Sequence, residues 1–125
     1  MTTQVPPITT AELNATSTFE GGQLATRFVG TADSRAMKSI DSLLKALHEE
    51  ALRLQVREVT IDLTQLEFMN SSCFKAFVTW IGNLQDLESP KQYSIVFKSD
   101  DNKHWQRRSL EALSCFAVDL IRVET

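Results

Sequence analysis

"TIDLTQLEFMNSSCFKAFVTWI", residues 60–81, decides the fold. Val59, Ile61 and Leu63 alternate with Thr60 and Asp62, the two-residue period of a strand with one buried face. Leu66-Glu67-Phe68-Met69 carries that run to a corner at Asn70-Ser71-Ser72. Beyond it Phe74, Ala76, Phe77, Val78, Trp80, Ile81, Leu84 and Leu87 recur at helical spacing, which predicts a helix over about 72–87. The apolar band is wider than one buried stripe requires, and part of it is expected to face a partner.

Upstream, Leu13, Ala15, Ser17 and Phe19 alternate with polar neighbours, Gly21-Gly22 allows a tight turn, and Leu24, Thr26 and Phe28 resume the alternation. That is a hairpin. Gly30 and Asp33 punctuate the next loop, and Asp33-Ser34 offers caps. Met37, Ile40, Leu43, Leu44, Leu47, Ala51 and Leu54 then form one face of a helix over about 34–54. Downstream, Ser89-Pro90 stops the second helix. "QYSIVFK" (92–98) predicts a strand, "NKHWQRRSLEALSCFA" (102–117) a third helix and "DLIRVE" (119–124) a last short strand. The order β-β-α-β-α-β-α-β implies an α/β domain over 12–125, a mixed sheet of about five strands with three helices packed on it. Residues 1–11, with Pro6-Pro7 and no period, read as a flexible N-terminal arm.

The chain of 125 residues carries 13 basic and 16 acidic side chains, net charge −3, with no Lys/Arg stripe, which argues against a nucleic-acid partner. No apolar run approaches a membrane span and no signal-peptide pattern opens the chain, so a cytoplasmic protein without membrane insertion is expected. Two cysteines, Cys73 and Cys115, and two histidines, His48 and His104, match neither a disulfide framework nor a zinc pattern. Both histidines read as surface or capping residues, and no metal, cofactor or small-molecule substrate is expected.

The corner at Asn70-Ser71-Ser72 admits several chemistries. Asn and Ser are favoured helix caps, because a side-chain oxygen accepts an orphan backbone N–H. The same helix N-terminus favours anions, so a serine there could carry phosphate. A hydrolase elbow needs small residues on both sides of the serine, and Met69, Asn70, Cys73 and Phe74 do not supply them. Asn70-Ser71-Ser72 and Asn14-Ala15-Thr16 match the glycosylation sequon, which without a secretory signal reads as chance. Cys73 is either a thiol activated by the helix dipole or a small buried hydrophobe. "DDNKHWQRRS" (100–109) reads as a charged loop and helix start, with Trp105 anchoring it to the sheet.

The hairpin, "RFVGTAD" (27–33), Asp62-Leu63-Thr64 and Phe68-Met69-Asn70-Ser71-Ser72-Cys73 together resemble a STAS domain, the domain of bacterial anti-sigma factor antagonists. The family usually has Asp where Asn70 stands and Gly where Cys73 stands. The resemblance implies a phosphorylation-controlled protein-binding module of a partner-switching pathway, not an enzyme. Ser71 is its expected phosphoacceptor, with Ser72 second. The implied partners are a serine kinase and anti-sigma factor with a histidine-kinase-like ATPase fold, and a PP2C-type phosphatase. Asn70, Ser71, Ser72, Lys75, Thr79 and Asn83 are the expected partner-binding residues. The alternative is a non-phosphorylated STAS scaffold or accessory subunit, as in stressosomes or lipid-transport ATPase complexes.

Overall fold

Alternation on the central strands turns one face of a single sheet towards the helices. The structure, a computed structural model, describes residues 3–125. Its elements are β1 (Ile8–Thr9), β2 (Leu13–Glu20), β3 (Gln23–Ala32), α1 (Met37–Leu54), β4 (Glu58–Met69), α2 (Ser71–Gln85), β5 (Ser94–Lys98), α3 (His104–Phe116) and β6 (Ile121–Glu124). The six strands lie in chain order in one sheet. β1, β2 and β3 run antiparallel, whereas β3, β4, β5 and β6 run parallel. Each parallel step needs a crossover, and α1, α2 and α3 supply the three.

Gly21 and Gly22, at φ 58° and 78°, make the two-residue turn that pairs Glu20 with Gln23. Leu24, Phe28, Val59, Ile61, Leu63, Ile95 and Phe97 are buried from the sheet side, and Ile40, Leu43, Leu47, Phe77, Ile81, Leu110 and Leu113 meet them from the helices. Phe77 sits at the centre, with ring centroids 5.9 Å from Phe28 and 6.1 Å from Phe97. The outer edge of the α2 apolar band, Phe74 and Val78, is half-buried against this same core, which accounts for much of the excess width.

Two readings from the sequence change. Gly30 is not in a loop but within β3, beside a register shift, at φ 112°. A Cβ there would lie 2.2 Å from the Glu12 carbonyl oxygen, so the strand needs glycine on both counts. Over the described residues, the 1–11 segment is not a loose arm. Ile8–Thr9 pairs with β2 as a sixth strand, and Val5 and Ile8 are buried. The Gln4 N–H also donates to the Glu50 carboxylate at 2.7 Å. Two apolar anchors and one charged acceptor suffice to dock a segment too short to show a period. Residues 1 and 2 of the expected arm lie outside the described residues.

Candidate functional site

The corner is built from β4 outward. β5 covers β4 only along Glu58–Asp62, so the later carbonyls on that edge need other donors. Gln106 of α3, fully buried, supplies them: its Nε2 donates to the Leu63 carbonyl at 2.6 Å and the Leu66 carbonyl at 3.0 Å. Its Oε1 accepts the Asp100 N–H at 2.9 Å. Lys103 adds a bond to the Thr64 carbonyl at 3.1 Å and an ion pair with Asp100 at 2.9 Å. That pair holds the Asp100 carboxyl below its ordinary range, the Lys103 hydrogen bond being the largest cause. On the other side Asn70 N–H donates to the Ala32 carbonyl at 2.7 Å, tying the strand end to the start of the α1 approach.

Asn70, extended at φ −69° and ψ 153°, is the N-cap of α2. Its Oδ1 accepts the Ser72 N–H at 2.7 Å, and its carbonyl accepts the Phe74 N–H at 3.0 Å. The capping work at this corner therefore falls to the amide, not to either hydroxyl. Ser71 is the first residue of the helix and is exposed; among the described residues its hydroxyl makes no hydrogen bond. Ser72 is half-buried. Lys75 and Thr79 follow Ser71 at four-residue steps, Asn83 one turn further, and all are exposed along one strip. The Thr79 hydroxyl donates back to the Lys75 carbonyl at 3.0 Å. Two residues before the cap, Phe68 is 48% exposed, an aromatic that periodicity alone did not single out.

Cys73 resolves towards the apolar reading. It is fully buried, its Sγ donates to the Asp33 carbonyl at 3.3 Å, and burial, with the Asp33 charge adding, pushes its thiol pKa up. Asp33 itself is held below the ordinary carboxylate range by hydrogen bonds from Arg35. His48 is not a free surface residue: it is half-buried, with Nδ1 2.6 Å from the Tyr93 hydroxyl. His104 is exposed at the start of α3. Trp105 packs half-buried against the core, as an anchor should. Among the described residues no helix is long and apolar enough to cross a membrane.

No protein-family model matches the sequence, and no curated protein matches it. Among solved structures, the chain is similar to an anti-sigma factor antagonist from Mycobacterium paratuberculosis, with a TM-score of 0.65 over 90% of this chain and 86% of that one. Identity is 12%, so the likeness is one of fold. It shows the α/β architecture that the hairpin and corner motif led us to expect, and with it the resemblance to STAS domains at the level of structure.

Proposed function

We propose that this chain is a phosphorylation-controlled protein-binding module that acts as an anti-sigma factor antagonist, with Ser71 as its phosphoacceptor. The observation that carries this reading is the division of labour at the corner. Asn70 caps α2, which leaves the Ser71 hydroxyl exposed and without a structural bond. The fold shared with the mycobacterial antagonist supports the class of activity.

In the unmodified state the binding surface is Phe68, Asn70, Ser71, Ser72, Lys75, Thr79 and Asn83: hydroxyls, amides, one aromatic and a single cation. Its partner is a serine kinase of the histidine-kinase-like ATPase fold that also serves as the anti-sigma factor. A phosphoryl group on Ser71 adds nearly two negative charges at the centre of this surface, and a PP2C-type phosphatase restores the binding state. The added charge does not melt the helix. It sits at the positive end of the α2 dipole and one turn from Lys75, both of which favour it. Release therefore comes from desolvation and repulsion at the interface rather than from local unfolding.

The test is capture of the partner by unmodified protein, by Ser71→Ala and by Ser71→Asp. Retention by the first two and loss in the third is expected. Equal recovery by all three would refute charge gating and favour the constitutive scaffold.

A further inference from the structure

Tyr93, just before β5, is 2% exposed, yet its hydroxyl meets two side chains from two helices. Trp80 Nε1 of α2 donates to it at 2.7 Å, and His48 Nδ1 of α1 lies 2.6 Å away. An indole N–H can only donate, so the phenol oxygen is the acceptor in the first contact. The phenol's own proton then needs an acceptor, and among the described residues His48 Nδ1 is the one within reach. The three side chains thus define the proton positions: Trp80 N–H to Tyr93 oxygen, Tyr93 O–H to His48 Nδ1, with the imidazole proton on Nε2. Burial supports each state, pushing the Tyr93 phenol pKa well up and that of His48 down.

We infer that Trp80, Tyr93 and His48 form a proton-sensitive latch that fastens α2 and the lead-in of β5 to α1, closed when His48 is neutral and weakened when His48 is protonated. A proton on Nδ1 turns the acceptor into a second donor facing Tyr93, and leaves the buried phenol proton without a partner. Around the ring, the charged groups of the adjoining groove all come from α1. Asp41 and Lys45 pair with each other at 3.1 Å, and Glu49 favours the imidazolium without offsetting its burial. From α2 the groove receives the neutral Thr79 and Asn83. The helix so fastened is the one that begins at Ser71, but the latch stands whether or not Ser71 is modified.

The sign follows from linkage. The folded His48 pKa lies below the ordinary value of 6.5, so the unfolded chain binds more protons over the interval between the two. The stability that the neutral latch contributes is present above pH 6.5 and is lost as pH falls through the folded value.

The test is a pH titration of the full chain by NMR, reading the imidazole nitrogens, the Trp80 indole N–H and amide exchange along α2. The expected results are an Nε2–H tautomer for His48 at pH above 7, a His48 midpoint below 6.5, and a Trp80 indole shift with that same midpoint. After correction for intrinsic rates, opening of α2 should rise about tenfold for each pH unit separating the His48 midpoint from 6.5. Tyr93→Phe should move the midpoint up and uncouple the Trp80 signal; if that variant does not fold, the unmodified chain decides alone. An Nδ1–H tautomer, a midpoint at or above 6.5, or a Trp80 signal flat through the His48 titration would overturn the latch.

Discussion

Replacing Gln106 by Met keeps the length and apolar bulk of the side chain while removing every hydrogen bond it makes. In the native chain that one amide serves three backbone groups: the Leu63 and Leu66 carbonyls and the Asp100 N–H. The side chain is fully buried, as are Leu63 and Leu66, so water has no ready route to replace it. Each buried polar group left without a partner costs about 1–3 kcal/mol, with carbonyls at the lower end, which gives about 3–5 kcal/mol for Gln106→Met. That is a large share of the roughly 5–15 kcal/mol that holds a domain of this kind together. In urea, with a slope of about 1.5 kcal/mol/M, the midpoint should fall by about 2 M or more at unchanged slope. Exchange of the Asp100 amide should accelerate more than that of the β2–β3 hairpin. A loss below about 1 kcal/mol would refute the reasoning, because it would mean that solvent already satisfies the open edge of β4.

Other expected outcomes follow from the same geometry. Gly30→Ala combines a positive φ with a Cβ 2.2 Å from a backbone oxygen, and should cost about 2–4 kcal/mol in denaturant unfolding. Asn70→Ala removes the cap and should cost about 1 kcal/mol, whereas Ser71→Asp should raise stability by about 0.5 kcal/mol through the helix dipole. Calorimetry on the two variants checks that opposition of sign, and a destabilising Ser71→Asp would contradict it. In thiol titration at pH 8, Cys115 should react promptly while the buried Cys73 reacts only as the chain opens.

How much of this was legible in the sequence depends on the range of the interactions. The β2–β3 hairpin, α1 and the β4 alternation are local, and Gly21-Gly22 and the apolar spacing mark them directly. The corner was legible as a cap, but which of three capping residues does the work depends on backbone angles that spacing does not contain. β1 escaped because two residues show no period, and what docks them lies in β2 and, through Gln4, in Glu50 46 residues away. Nothing in "NKHWQRRSLEALSCFA" sets Gln106 apart from the polar residues around it. Its burial follows from β5 ending early beside β4, a fact about sheet topology. His48 read as a surface or capping residue, since its partner Tyr93 is 45 positions away.

The central claim is that the exposed Ser71 hydroxyl, freed by the Asn70 cap, is the residue that carries phosphate. Intact-mass and fragment analysis of protein taken from its native cell, beside Ser71→Ala and Ser72→Ala variants, tests it most directly. The account predicts a species heavier by one phosphoryl group, mapped to Ser71, retained in Ser72→Ala and lost in Ser71→Ala. Phosphate mapped to Ser72, or none on the chain under any growth or stress condition sampled, would contradict it.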